Sequence, residues 1–179
     1  MAQTKGHNSS NFLAAVISRS SVLWNNQFGI RHGRLCSLGT RRGRVAWVGF
    51  EVKNIDLKHG DKLKIKGKIA GDAKRFQIDL GKGPNDLAMH FNPRFHDDRD
   101  GKVIVCNSNR GGSWGSEKRD SNFPFEKGHE IKLNVKILQE GFEVELPNGH
   151  TVKFSNRFDD KITYMNVSGD FKVTSFKVE

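Results

Sequence analysis

Eight residues between positions 90 and 119 carry side chains that together could bind a polar ligand. The set combines hydrogen-bond donors and acceptors with one aliphatic and one aromatic side chain: His90, Asn92, Arg94, Val105, Asn107, Trp114, Glu117 and Arg119. Histidine and asparagine donate and accept hydrogen bonds, arginine only donates, and an ionised glutamate only accepts. A cluster of hydroxyl groups needs this mixture of partners, and the apolar side of a sugar ring complements a tryptophan ring. The residue types therefore favour a sugar-binding site.

These side chains share one surface if the segments that carry them are β-strands. Successive residues of a strand point to opposite faces, so His90, Asn92 and Arg94 lie on one face. The same alternation joins positions 105 and 107 in a second strand and positions 117 and 119 in a third. Ile104 and Cys106 then point to the opposite, apolar face. We predict a polar surface that crosses neighbouring strands.

The pattern of the chain changes near Val48, where regular alternation of apolar and polar residues begins. Lys62–Ile69 alternates lysines with mostly apolar residues, and we expect one solvated lysine face there because no aromatic residues interleave the lysines. Turn sequences, one of them predicted over 81–86, separate roughly ten such strands, and no segment has helical periodicity. These features predict an all-β fold of two antiparallel sheets, a jelly-roll or concanavalin-like sandwich.

The charge of the chain is unevenly distributed. The formal net charge is +10, and residues 1–50 hold seven lysines and arginines with no acidic residue, so residues 51–179 carry only +3. We therefore predict a basic, disordered leader over 1–47 and one domain over 48–179. Because the domain itself is only mildly basic, nucleic acid is not the expected partner.

Targeting and redox signals are sparse. Phe12–Ile17 is shorter than the roughly 7 to 15 apolar residues of a secretory signal, and no run approaches the roughly 20 residues of a membrane span. An acid-free segment rich in arginine and serine resembles a mitochondrial transit peptide, but scattered glycines interrupt any amphipathic helix. Mitochondrial targeting stays the minor alternative. Cys36 and Cys106 are too few for a disulfide framework and favour a reducing compartment.

The polar segments resemble the carbohydrate-recognition signature of the galectins, the β-galactoside-binding animal lectins. The resemblance covers about Val48 to Glu179, is closest to the single-domain prototype members, and rests on the motifs His-Phe-Asn-Pro-Arg at 90–94, Val-Cys-Asn at 105–107, Trp-Gly at 114–115, Glu117 and Arg119. It implies a non-enzymatic lectin without a cofactor or metal. It also implies glycoprotein and glycolipid partners that carry lactose-type or N-acetyllactosamine-type glycans.

The resemblance also implies a role for each residue. His90, Asn92 and Arg94 are expected to bind the axial 4-hydroxyl of galactose, and Asn107 and Glu117 its 6-hydroxyl. Trp114 is expected to stack on the apolar face of that sugar. The residues expected to reach the 3-hydroxyl of the next sugar are Glu117, Arg119 and Arg94.

The resemblance to prototype galectins further implies a cross-linking homodimer, paired through edge strands near the two termini. It also implies a protein found in the cytoplasm and, by a route that needs no signal peptide, outside the cell. Some members have histidine where Asp98 stands here, so we expect the loop at Asp97 and Asp98 to affect the preference for extended galactosides.

Three other functions were weighed against a lectin. A glycosidase needs two carboxylates about 5 to 10 Å apart, whereas the polar face supplies only Glu117. A nucleic-acid or protein-binding module would depend on the basic leader and on low salt. A calcium site in the Asp97–Gly101 loop lacks the later glutamate and the flanking helices of the helical calcium motif.

Overall fold

The computed structural model describes residues 13–17, 22–25 and 32–33 as backbone strands and residues 49–158 and 161–179 in full. Among these residues there are fifteen strands and no helix, and hence no helix that could cross a membrane. The strands are β1 (Leu13–Ile17), β2 (Val22–Asn25), β3 (His32–Gly33), β4 (Phe50–Leu57), β5 (Lys62–Ile69), β6 (Phe76–Gly83), β7 (Asp86–Asp97), β8 (Gly101–Arg110), β9 (Ser113–Trp114), β10 (Lys118–Asp120), β11 (Glu130–Leu138), β12 (Gly141–Glu145), β13 (Thr151–Ser155), β14 (Ile162–Gly169) and β15 (Phe171–Val178).

The strands form two antiparallel sheets. The eight-stranded sheet has the order β13-β12-β11-β5-β15-β1-β2-β3. The seven-stranded sheet has the order β10-β8-β7-β6-β14-β4, and β9 pairs with β8 outside this path. The predicted all-β sandwich is therefore confirmed.

Alternating side chains build the core between the sheets. In β5 the four lysines are exposed while Leu63, Ile65 and Ile69 are at most 1% exposed, as the alternation predicted. Phe76 of β6 stacks on Phe171 of β15 with ring centroids 5.0 Å apart, which joins the two sheets. Full burial of each such side chain contributes about 1.5 to 3 kcal/mol. The polar side chains of β7 and β8 consequently face outward from the seven-stranded sheet.

The connection between β6 and β7 differs from the sequence prediction. The turn expected over 81–86 is confined to Pro84 and Asn85, because β6 runs to Gly83 and β7 begins at Asp86. Register shifts at Gly81 and Gly83 keep the two strands paired through glycines that the sequence assigned to the turn. The hairpin is thus longer than predicted.

The segment before the sandwich contributes three short strands, β1 to β3. Strand β1 pairs antiparallel with β15, Leu13 opposite Val178, and β2 and β3 follow in the same sheet. The remaining residues of 1–48, which make up most of the predicted leader, lie outside the described residues, and its predicted disorder and targeting stay predictions. The division at residue 48 stays a prediction.

Candidate functional site

His90 is held by a buried carboxylate. Its Nδ1 lies 2.6 Å from Oδ1 of Asp79, the residue opposite it in β6. Asp79 is 3% exposed and also accepts hydrogen bonds from Gln77 (2.8 Å) and Asn166 (3.0 Å). The carboxylate places a proton on Nδ1 of the ring, because it can only accept. The Nε2 atom of His90 is therefore left for a ligand, and in the neutral ring it accepts a hydrogen bond.

Asn92 and Arg94 orient each other on the same face of β7. The amide of Asn92 donates from Nδ2 to the carbonyl of Phe76 at 2.7 Å and accepts at Oδ1 from Nε of Arg94 at 2.9 Å. Asn92 is 3% exposed, so this arrangement fixes its amide and leaves one N–H and one lone pair. Because Nε is occupied, the two terminal nitrogens of Arg94 remain for Asp97 and Glu117.

A network of charges closes this end of the site. Asp97 accepts from Nη1 of Arg94 at 2.7 Å and from Nη2 of Arg119 at 2.5 Å. Arg119 also donates to Asp100 (2.5 Å) and to Glu117 (2.6 Å), and Glu117 lies 3.8 Å from Nη2 of Arg94. Each guanidinium is thereby fixed by at least two acceptors. Such charge-assisted bonds give the donors a fixed direction before any ligand arrives.

The network also shifts two pKa values. The hydrogen bond from Arg94, helped by the backbone amides of Arg99 and Asp100 and by the charge of Arg119, lowers the pKa of Asp97 to about 2. Hydrogen bonds to Asp100 and Glu117 raise the pKa of Arg119 above its ordinary value. Asp97 and Arg119 therefore remain ionised throughout the physiological pH range.

Asn107 is braced from outside the sheet. Its Oδ1 accepts from the amide of Ser108 at 2.8 Å and from Nη1 of Arg157 at 3.2 Å, while its Nδ2 donates to the carbonyl of Gly115 at 2.9 Å. One N–H of Asn107 remains for a ligand, so this residue presents a donor. Arg157 also donates to the carbonyl of Ser116 at 2.7 Å, which ties the segment between β9 and β10 to β8.

Trp114 presents an open aromatic surface. Trp114 is 54% exposed, and its ring centroid lies 4.8 Å from that of His90. Strand β9 places it opposite Asn109 of β8. Gly111 and Gly112 make the preceding turn possible, since both have positive φ. An exposed ring beside hydrogen-bonding groups suits a ligand with one apolar and one polar side.

These residues surround a pocket of about 440 Å³ on the outer face of the seven-stranded sheet. Seven of the eight residues singled out in the sequence line it: His90, Asn92, Arg94, Val105, Asn107, Trp114 and Glu117. The eighth, Arg119, lies behind Glu117 and holds it. The pocket is also lined by Gly115 of the Trp-Gly motif and by two residues that the sequence did not indicate, Arg75 and Gln77.

The acidic loop supplies partners for the site arginines. Asp97 accepts from Arg94 and Asp100 accepts from Arg119, while the side chain of Asp98 is fully exposed. The expected effect of this loop on the preference for extended galactosides stays a prediction.

Cys106 lies on the inner face, as its alternation predicted. It is 1% exposed, and burial raises the pKa of its thiol to about 12. A neutral thiol in the core is a poor nucleophile.

The arrangement suits binding of a polyhydroxylated ligand. The pocket offers an imidazole nitrogen, two oriented amides, a guanidinium, a carboxylate and an aromatic face. Glu117 is the carboxylate among the lining residues, and Arg119 occupies one of its oxygens. The buried carboxylate below the pocket, Asp79, is taken by His90, Gln77 and Asn166. The geometry preorganises hydrogen bonds before a ligand arrives.

Comparison with known proteins identifies the relatives of this fold and site. The family described as galactoside-binding lectin matches residues 51–178. The crystal structure of chicken Galectin 2 is 52% identical, with a TM-score of 0.68 over 73% of this chain and 98% of that chain. CG-16, a homodimeric agglutinin from chicken liver, is 39% identical, with a TM-score of 0.69 over 73% and 99%. A toad ovary galectin in complex with thio-digalactose is 31% identical, with a TM-score of 0.71 over 76% and 100%.

Proposed function

Because the chain belongs to the galactoside-binding lectins, the galectins, we propose that its pocket binds β-galactosides of the lactose and N-acetyllactosamine type. The observation that carries this proposal is the orientation of His90, Asn92 and Arg94 by Asp79, Phe76 and Asp97. In each of these side chains, one hydrogen-bonding atom is bonded within the protein and another remains available to a ligand in the pocket. The toad ovary galectin, solved with thio-digalactose, supports a galactose-containing disaccharide as the ligand.

In this proposal one hydroxyl meets three side chains of β7. The axial 4-hydroxyl of galactose donates to Nε2 of His90 and accepts from Asn92 and Arg94. The 6-hydroxyl accepts from the remaining N–H of Asn107 and donates to Glu117. Trp114 covers the apolar side of the same ring, and Glu117 with the two arginines binds the 3-hydroxyl of the next sugar.

The test is titration calorimetry of the full chain with lactose and with cellobiose, which differ at the 4-hydroxyl of the terminal sugar. An equatorial hydroxyl leaves the donors of Asn92 and Arg94 unpaired, at about 1 to 3 kcal/mol for each buried group. Lactose should therefore bind at least about tenfold more tightly. Equal affinity for the two disaccharides would exclude this site for galactose.

Substitutions connect the affinity with the pocket. Arg94→Ala, Asn107→Ala and Trp114→Ala should each abolish retention on a lactose column while the circular dichroism spectrum stays unchanged. Leu138→Ala is the matched control for Trp114, because Leu138 is the other exposed large apolar side chain of the described residues and lies on the eight-stranded sheet. Normal retention of all three pocket variants would refute the assignment.

We propose binding without hydrolysis for this chain, in line with its family of lectins. The support is that Glu117 is the one carboxylate among the residues that line the pocket, and that it is already bonded to Arg119. Prolonged incubation with a β-galactoside should release no monosaccharide.

We also propose that two copies assemble and cross-link glycans, as the homodimeric agglutinin CG-16 suggests. Light scattering would measure the mass, and agglutination of cells inhibited by lactose would measure cross-linking. A monomeric mass together with absent agglutination would reject the dimer while leaving the sugar site untouched.

A further inference from the structure

Eight lysines project from three neighbouring strands on the outer face of the eight-stranded sheet. We call this surface the lysine band. It consists of Lys62, Lys64, Lys66 and Lys68 of β5, Lys132 and Lys136 of β11, and Lys172 and Lys177 of β15. Apolar residues of the same strands, such as Leu63, Leu133 and Phe176, enter the core, so the band lies on the side of the sandwich opposite the pocket.

The strand register places these lysines directly opposite one another. The opposed pairs are Lys62–Lys136, Lys66–Lys132, Lys64–Lys177 and Lys68–Lys172. Like charges directly opposite each other in a sheet destabilise it, since the side chains are only about 4.5 to 5.5 Å apart at Cβ. A single strand of alternating lysines is an ordinary solvated face. Three adjacent strands that align lysine with lysine call for another explanation, because Glu130 opposite Lys68 is the one carboxylate that the register places across from a β5 lysine.

Acidic neighbours offset only part of this charge. Glu179 lies 2.6 Å from Lys64 and 2.7 Å from Lys177, Glu130 lies 3.5 Å from Lys66, and Glu143 lies 3.9 Å from Lys136. The net charge of these eight lysines and three glutamates is larger than the +3 that residues 51–179 carry in total. The other residues of that range are therefore net negative. Within the described part of the chain, the band lysines without a carboxylate at ion-pair distance are Lys62, Lys68 and Lys132.

The shape and composition of the band favour a linear polyanion. Three strands span about 10 Å and the lysines of β5 span about 20 Å, from the usual strand spacing and rise. An extended membrane surface would also meet Glu143 and Glu145 of the neighbouring strand β12. The outward positions of the band carry no aromatic side chain for base stacking and no arginine for bidentate phosphate contacts.

We propose that the lysine band binds a linear sulfated polysaccharide, at a site separate from the galactoside pocket. Sulfate esters spaced along a chain would lie between opposed lysines and relieve their repulsion. The inference does not depend on the proposed sugar specificity, because none of its residues lines the pocket.

The experiment measures binding of size-fractionated heparin to the full chain over a series of NaCl concentrations. The band variant is Lys62→Gln/Lys68→Gln/Lys132→Gln. The control variant is Lys53→Gln/Lys58→Gln/Lys127→Gln, which removes the same charge from lysines outside both the band and the pocket. The band variant should bind heparin at least about tenfold more weakly at low salt, with a salt slope shallower by about 2. The control variant should bind as the unmodified chain does.

Four results would overturn the proposal. They are an equal loss in both variants, no loss in either, displacement of heparin by lactose, and equal affinity for duplex DNA or phosphatidylserine vesicles at matched charge and salt. The band variant should melt no lower than the unmodified chain, since glutamine removes repulsion. If it fails to fold, the pair Lys66→Gln/Lys132→Gln provides the same comparison against Lys53→Gln/Lys58→Gln.

Discussion

Nη1 of Arg157 lies 3.2 Å from Oδ1 of Asn107, although fifty residues of chain separate them. The same nitrogen lies 3.1 Å from Oγ of Ser108, and the guanidinium rests 4.8 Å above the ring of Phe154. Arg157 does not line the pocket. It is a positioning residue, because it sets the amide from which Asn107 donates to a ligand.

Replacing Arg157 should weaken lactose binding without unfolding the domain. Arg157→Gln removes the hydrogen bonds that orient Asn107 and hold Ser116, a loss of about 1 to 2 kcal/mol or roughly tenfold in affinity. Calorimetry measures the affinity, and the side-chain amide signals of Asn107 report its orientation. Arg110→Gln is the control, since Arg110 also lies over an aromatic ring, 4.7 Å from that of Phe158, but outside the pocket. Equal affinity losses, with unchanged Asn107 signals, would contradict the positioning role.

Asp97 should matter for affinity although it does not line the pocket. Asp97→Asn keeps one acceptor oxygen where the carboxylate serves both Arg94 and Arg119, so one guanidinium loses its direction. We expect lactose binding to weaken about tenfold, the value of one charge-assisted hydrogen bond. The matched control is Asp98→Asn, because the neighbouring carboxylate is fully exposed. A similar result for both variants would mean that general charge, and not the contact, determines affinity.

The sequence predicted most residues that line the candidate pocket but not the contacts of Asp97, which it left in a loop. Strict alternation from Arg94 would put Asp97 on the inner face, whereas a register shift between Arg94 and Asp97 brings its carboxylate to the site arginines. Asp79 could have been found, since it alternates with Ile78 and Leu80, which are apolar and buried in the core. Arg157 carried no such signal, because a loop residue has no periodicity.

The fold was predictable for a related reason. Period-two alternation depends on burial of one strand face. It continues along the whole of β5 and β11, whereas two consecutive exposed residues interrupt it in β4 and in β15. Strand ends and bulges depend on local glycines and on pairing with neighbours, as Gly83 of β6 shows. The sequence could not predict that lysines of β5 and β11 lie opposite each other, because alternation within one strand does not determine the register between strands.

The pH dependence of the network follows from the lowered pKa of Asp97. The folded value of about 2 lies below the usual value near 3.9 for an exposed aspartate. The contribution of Asp97 to stability is therefore complete above about pH 3.9 and is lost as the pH falls toward about 2. Carboxyl carbon NMR should show a midpoint near 2 for Asp97. In Arg94→Gln that midpoint should rise, and an unchanged midpoint would disprove Arg94 as the cause.

Gly115 should be required because Arg157 fills the space beside it. A Cβ at position 115 would lie 2.6 Å from Nη1 of Arg157 and 3.3 Å from Oδ1 of Asn107. The end of a long side chain can move away, so we expect Gly115→Ala to change the melting temperature little and to weaken lactose binding about as much as Arg157→Gln, roughly tenfold.

A double-mutant cycle tests whether Gly115 acts through Arg157. If Gly115→Ala works by displacing the guanidinium, adding it to Arg157→Gln should cost little further affinity, whereas independent effects would add. Gly71→Ala is the control glycine, because a Cβ there meets nothing within 4 Å. Calorimetry with lactose on the two single variants and the double variant gives the coupling. Full additivity would show that Gly115→Ala does not act through the hydrogen bond from Arg157 to Asn107. Its effect would then come from Trp114 or from direct contact with the ligand.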